Sequence, residues 1–443
     1  MSDLVKQALA DNVKFIDLQF TDIVGAIKSV TIPISGLENV LEKGMWFDGS
    51  SIQGFARIQE SDMFLTPDAS TYRVLPWTST ERRRARLLCD IKSPDGSVFG
   101  GDPRAVLRRA VEYAASLGYT YNCGPELEFF LFRRSESGAI TPTPFDVGGY
   151  FDFSPKDENQ SVRGEIVLAL EAMGMKIEAA HHEVAIGQQE IDFEYADALT
   201  AADNAITFKY TVKAIAAAHG IHATFMPKPI FGINGSGMHV HQSLADVKTG
   251  KNRFSDTSDA YKLSKEAYGF ISGQLAHARA LAGIVAPTVN SYKRLTPGFE
   301  APAYICWAQV NRSALIRIPR FMPGREQSTR IELRFPDPSC NPYLAFAAML
   351  YAGLDGIQSG MATPDPVNED VYHFSPEDLS ARGIGTLPGT LGEALDALEG
   401  DRLLMDALGE HIAEWYVRAK RAEWDEYRIR VSQWELDRYL ETL

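Results

Sequence analysis

Pro125-Glu126-Leu127-Glu128-Phe129-Phe130-Leu131-Phe132 is the stretch on which the architecture turns. It reads as a strand, and residues two apart on a strand share a face. Glu126 and Glu128 therefore project side by side, with Leu127 and Phe129 on the opposite face. Two parallel carboxylates repel unless they face water or something positive lies between them. A lone Glu-x-Glu is usually a solvated strand face, because glutamates are mostly exposed. Here the flanking apolar residues make the strand central and weaken that account.

Working outward, residues 15–33 alternate apolar and polar and read as two strands around a turn at residues 22–25. Residues 85–91 form a further strand before Ser93-Pro94-Asp95-Gly96, a turn signal. A small β-rich domain is expected at residues 12–97. Asp102-Pro103 starts a helix that stops near Gly118, with Asp as cap and Pro at the first helical position. Thr200-Ala201-Ala202-Asp203 resembles a capping box opening a helix that ends at Gly220. HATFMP and SGMHVHQSL read as strands, and residues 341–357 as an apolar, Ala-rich helix. Ser432 and Glu435 cap a terminal helix carrying Trp434, Leu436, Tyr439 and Leu440. The fold class is α+β: a small sheet domain, then a large catalytic domain at residues 102–443.

The chain has 443 residues, 45% of them hydrophobic, enough for more than one domain. With 58 Asp and Glu against 44 Lys and Arg, its net charge of -14 argues against general nucleic-acid binding. A few local arginines and a metal ion still suffice for a nucleotide. No secretory segment opens the sequence, and no apolar run reaches membrane-spanning length. Cys89, Cys123, Cys306 and Cys340 lack metal-site spacing and read as reduced thiols, so a cytoplasmic protein is expected.

Further acidic and basic residues gather downstream. Glu183 and Glu190 flank a turn at Gly187, and the segment after Glu190 alternates acidic with apolar residues. His239 and His241 stand two apart on a strand, after the flexible Asn234-Gly235-Ser236-Gly237. Glu332 and Arg334 repeat the spacing. Arg294, Arg312, Arg317, Arg325 and Arg330 lie within forty residues upstream, a density that suits an anion site. Each pair alone has a bland explanation, as a hairpin surface or a cross-strand ion pair. Together, five glutamates and a histidine offer oxygen and nitrogen ligands for Mg2+ or Mn2+. Arginines beside such ions suit phosphoryl transfer. There is no Walker A motif and no kinase loop set. The residues by themselves indicate a metal-dependent enzyme handling phosphate or carboxylate.

Five blocks then match one family in order: Phe47-Asp48-Gly49-Ser50-Ser51, Pro125 to Glu128, Asn234 to His239, Lys293-Arg294-Leu295-Thr296-Pro297-Gly298-Phe299-Glu300-Ala301-Pro302, and Arg330 to Asp337. The chain resembles type I glutamine synthetase over nearly its whole length. The resemblance implies a β-grasp-like N-terminal domain and the ATP-dependent ligation of ammonia to L-glutamate through γ-glutamyl phosphate. It implies two or more Mg2+ or Mn2+ ions per site. Glu128, Glu183 and Glu190 match the ligands of one, and Glu126, His239 and Glu332 those of the other. Asn234, Gly235, Arg294 and Arg334 match glutamate-binding positions. Arg312, Arg317 and Arg330 match positions around the ATP phosphates, and Ser243 and Phe225 the nucleotide pocket. Asp48, Tyr150, Glu183 and Glu300 match the ammonium site, with Asp48 as base and Glu300 in the flap.

The family also implies a dodecamer of two stacked hexamers. The small domain, with Asp48, completes a neighbour's site, and the C-terminal helix joins the rings. Some type I enzymes carry an adenylylated tyrosine in an Asn-Leu-Tyr-Asp-Leu-Pro loop. The comparable stretch here, Arg382-Gly-Ile-Gly-Thr-Leu-Pro-Gly-Thr-Leu-Gly-Glu, has none. This resembles the alpha subtype, controlled by glutamine feedback and regulatory proteins, in which Arg57 matches a feedback arginine. The competing expectations are a γ-glutamyl ligase acting on a polyamine or monoamine, and a non-catalytic sensor on the same scaffold.

Overall fold

The computed structural model describes residues 2–443 except 51, 53, 55–61, 136, 298–300 and 310. Arg57 and Glu300 lie outside the described residues.

Phe15–Thr21 and Ile27–Pro33 pair antiparallel. The Asp22 carboxylate shapes their turn by accepting from the N–H groups of Val24 (3.1 Å) and Ala26 (2.8 Å). Gly25 takes a positive φ of 84° there, and a Cβ on it would meet Asn341 Cα at 2.9 Å. Only glycine lets this turn approach the second domain so closely. Phe15–Thr21 also runs parallel to Arg84–Lys92, which continues to Asp62–Pro67 and Met45–Asp48. Arg73–Val74 is the sixth strand. Ile16, Leu18, Leu65, Leu87 and Ile91 turn one face inward onto Val5, Leu37 and Val40, which lie on or beside short helices. This is the β-grasp arrangement.

The second sheet has eleven strands built around the sixteen-residue Tyr119–Arg134. Met238–Asp246 pairs along one edge, followed by Ile331–Leu333, Ala314–Arg317, Tyr304–Ala308 and Gly385–Thr386. Gln188–Phe193 and then Ile177–His182 pair on the other edge. Leu127, Phe129 and Leu131 are fully buried in a core shared with the helices Pro103–Ser116, Ala198–Ala218 and Pro342–Gln358. Each such side chain stabilises the fold by about 1.5–3 kcal/mol. That burial fixes which face of the strand the glutamates leave.

Arg104, 4% exposed at its side chain, joins the domains. It donates to Asp68 and Asp90 of the small domain at 2.8 and 2.7 Å, and to Asp203 of the large one at 2.9 and 3.0 Å. Asp203 also accepts from the Tyr343 hydroxyl at 2.7 Å. This engagement explains a difference at the helix expected to start with a box at Thr200. The helix begins at Ala198, capped by Asp197, whose carboxylate accepts from Thr200 N–H at 3.1 Å. At the other end of the chain, Ser432 and Glu435 do form a capping box on Gln433–Tyr439. Among the described residues no helix is long and apolar enough to cross a membrane. All four cysteines are free and buried.

Candidate functional site

The sheet register assembles the site. His181 stands opposite Glu190, and Glu190 opposite Glu128. Two residues along the same strand, Glu126 stands opposite His239. Two residues further along its own strand, His241 faces Glu332, which in turn faces Arg317. The row crosses six strands on one face. All of it except His241 lines a cavity of about 480 Å3 together with Tyr150, Glu183, Asn234, Gly235, Arg294, Arg312 and Arg334. Gly187, with φ of +74°, turns the hairpin that carries Glu183 and Glu190 into this cavity.

The carboxylates divide electrostatically. Burial, then the neighbouring Glu183, pushes the Glu128 carboxyl up to about 8. Burial, Glu128 and Asp192 push Glu190 well above the usual range. Burial and Glu126 take Asp192 to about 7, and its buried Oδ1 has no hydrogen-bond partner. Burial opposes ionisation of Glu126, but the His241 and His239 rings beside it bring its carboxyl well below the usual range. Burial opposes ionisation of Glu332 as well, but Arg334, His241, His239 and Arg317 together bring its carboxyl below the usual range. Crowded carboxylates in a low-dielectric pocket call for positive charge.

Basic groups line the same cavity. Arg334 and Arg317 both donate to Glu332. Arg294, 3% exposed, is clamped by the carbonyls of Phe335 (3.0 Å) and Arg334 (3.2 Å). Arg312 reaches the cavity from an exposed position. A second cavity of about 220 Å3 shares Glu126 and Asp192 with the first and is lined by Ser243, His241 and Arg330. Arg330 Nε donates to His241 Nδ1 at 3.1 Å, and His241 Nε2 lies 2.7 Å from Glu126 Oε1. A short polar relay thus runs between the two cavities.

The donors fit divalent cations. Glu126, His241 and Glu332 offer ligand atoms within 4.8 Å of one another, and so do His181, Glu183 and Glu190. Burial and Arg334 hold the His239 imidazole down at about 4, so its ring is neutral and able to donate a lone pair. Its Nδ1 lies 3.6 Å from Glu126 and 3.9 Å from Glu332. Glu128 keeps one oxygen on Gly237 N–H and Gln188, each at 2.9 Å, leaving the other available. Carboxylate oxygens with neutral imidazoles suit Mg2+ or Mn2+.

Asp48 and Phe225 line neither cavity. Asp48 is exposed at the end of Met45–Asp48, where it accepts from Ser50 N–H at 2.8 Å, and it does not line this chain's cavity. Phe225, expected in the nucleotide pocket, is 5% exposed and packs its ring against Phe129 and Phe208 in the core. It borders a different depression, beside Lys213 and Pro227. The core claims it because the strand Ile221–Thr224, just before it, pairs far along Tyr119–Arg134, at Phe130 to Arg133, while Ser243 pairs at Asn122. Sequence reading passed over His181, Gln188 and Asp192. Their period-two placement with Glu183 and Glu190 was the available signal.

Residues 12–94 match the family described as glutamine synthetase, beta-Grasp domain, and residues 100–439 match its catalytic domain. The chain is 54% identical to glutamine synthetase of Halobacterium salinarum over 433 residues, covering 98% of this chain and 94% of that one. It is 53% identical to the Methanosarcina mazei enzyme over 441 residues, covering 100% and 98%. Among solved structures, a GmaS/ADP complex superposes with a TM-score of 0.90 at 32% identity, covering all of both chains. Plasmodium falciparum glutamine synthetase gives 0.87 at 28%, covering 99% of each. A β-grasp domain, a carboxylate-lined cavity faced by arginines, and full-length identity above one half all agree: the chain belongs to the glutamine synthetase family.

Proposed function

We propose a division of labour within the cavity for the reaction of this family, the ATP-dependent conversion of glutamate and ammonia to glutamine. Glu128, Glu183 and Glu190 hold one divalent ion, and Glu126, His239 and Glu332 a second. When bound, these ions offset the negative charge of the phosphate oxygens. The observation that carries the reading is one cavity with six potential ligands on one side and Arg294, Arg312, Arg317 and Arg334 around it.

Asn234, Gly235, Arg294 and Arg334 bind glutamate. Ser243 and Arg330, in the adjoining cavity, bind the nucleotide. The glutamate side-chain carboxylate attacks the γ-phosphorus of ATP and ADP leaves. Arg312 and Arg317 stabilise the transferred group by charge. Ammonium, drawn to Tyr150 and Glu183, gives a proton to Asp48. Ammonia then attacks the acyl carbon and phosphate departs. Glu300 shields the acyl phosphate from water.

Asp48 does not line its own chain's cavity, so it serves a neighbouring subunit. The assembly is a dodecamer of two hexamers, tied by the C-terminal helix, on which Trp434 and Leu440 are 62% and 74% exposed. Without a tyrosine at residues 382–393, control falls to glutamine feedback through Arg57, as in the alpha subtype. An unchanged glutamine inhibition constant in Arg57→Ala would contradict that assignment. The main test is phosphate release with glutamate, ATP and ammonium each omitted in turn. Equal or better turnover with putrescine in place of ammonium would instead assign an amine ligase.

A further inference from the structure

His182 plays no part in the division of labour above, yet it sits at the junction of two segments that line the cavity. Its neighbour His181 points into the cavity, and on a strand the next side chain points away. His182 is accordingly 0% exposed. Its Nδ1 lies 2.7 Å from the Glu183 carbonyl oxygen, and its Nε2 lies 2.9 Å from Asp146 Oδ1. Asp146 also accepts from Gly187 N–H at 2.8 Å and from the Asn159 amide at 2.5 Å. The His182 carbonyl accepts from Phe151 N–H at 3.1 Å. Gly148 packs against the ring, where an added Cβ would meet Nε2 at 2.8 Å.

These contacts converge on one mechanical role. The loop from Asp146 to Phe151 carries Tyr150, and the hairpin after His182 carries Glu183. We infer that His182 is a positioning residue that sets the spacing between Tyr150 and Glu183 by bridging Asp146 to the Glu183 backbone. The inference rests on the reading that Tyr150 and Glu183 form the ammonium end of the cavity. A buried imidazole bonded at both nitrogens has no rotational freedom, so both segments are held in one geometry. Loss of such outer support costs roughly 10- to 100-fold in ligand affinity or activity.

The test uses His182→Asn, whose amide nitrogen replaces Nδ1, and His182→Gln, whose amide nitrogen replaces Nε2. Each keeps one half of the bridge. Both are expected to raise KM for ammonium about tenfold or more, with KM for ATP unchanged. Gly148→Ala, which presses a methyl on the ring without removing a hydrogen-bonding group, is expected to do the same and covers a His182 variant that fails to fold. A wild-type ammonium KM in either His182 variant would overturn the bridge. So would a parallel rise in all KM values accompanied by a lower Tm. Tyr150→Ala separates the two layers. If it leaves the ammonium KM unchanged, the assignment of that end falls, and the inference with it. If it raises the ammonium KM while the His182 variants do not, the inference alone falls.

Discussion

Glu126 Oε1 and His241 Nε2 stand 2.7 Å apart, closer than Glu126 comes to His239, the histidine opposite it in the register. The two histidines therefore have different duties. His241 also accepts from Arg330, so both of its nitrogens are engaged, whereas Nδ1 of His239 faces the carboxylates of Glu126 and Glu332. His239→Ala should weaken Mn2+ binding by at least about tenfold. His241→Ala should weaken it less. The size of the Mn2+-induced rise in Tm measures both, without any turnover. The reverse order would make His241 the ligand.

Arg104 should behave as the pin between the domains. It is buried among Asp68, Asp90 and Asp203. Removing one partner of a buried pair strands the remaining charge and costs on the order of 3–5 kcal/mol. Arg104→Met is expected to lower the urea midpoint of unfolding clearly. A midpoint equal to wild type would show that the aspartates find other partners.

Some of this molecule was legible in its sequence, and the reason is local. Glu126 with Glu128, and Glu332 with Arg334, announce a shared strand face by spacing alone. The helix at Asp102-Pro103 carries its cap and its first-turn proline within two residues, and the structure starts it at Pro103. The pairing of Arg104 with Asp203 spans 99 residues, so nothing local signals it, and it also removes Asp203 from the capping role its spacing suggested. The packing of Phe225 is equally non-local: the register that sends it to the core is set by a partner strand, not by its neighbours. Asp146 and His182 are 36 apart and individually unremarkable.

His277 supplies a pH signature. Its Nδ1 bonds Asp401, and its Nε2 lies 3.2 Å from Asp355. The Asp401 hydrogen bond, against burial, raises the imidazole above its ordinary value. A raised folded-state value stabilises fully below the unfolded pKa, near 6.5, and that contribution is lost as pH rises through the folded value. His277→Gln should therefore lower Tm more at pH 6 than at pH 9. An equal deficit at both would assign His277 a packing role only.

Asp48 lends itself to complementation. Asp48→Ala and Glu128→Ala chains should each be inactive alone. Dissociated, mixed and reassembled, they should recover part of the activity, because some interfaces then combine an intact Asp48 with an intact Glu128 on different subunits. No recovery, with the assemblies shown to be mixed, would place Asp48 in its own chain's site.

The alternation along Tyr119–Arg134 has a consequence for how the chain reaches its native state. A slip of one residue against Met238–Asp246 would turn Leu127 and Phe129 toward water and drive Glu126 and Glu128 into the helical core. Both errors are penalised together, one by lost burial and the other by stranded charge. The paired glutamates thus act during folding as proofreaders of strand alignment, rejecting the misregistered sheet before any substrate is present.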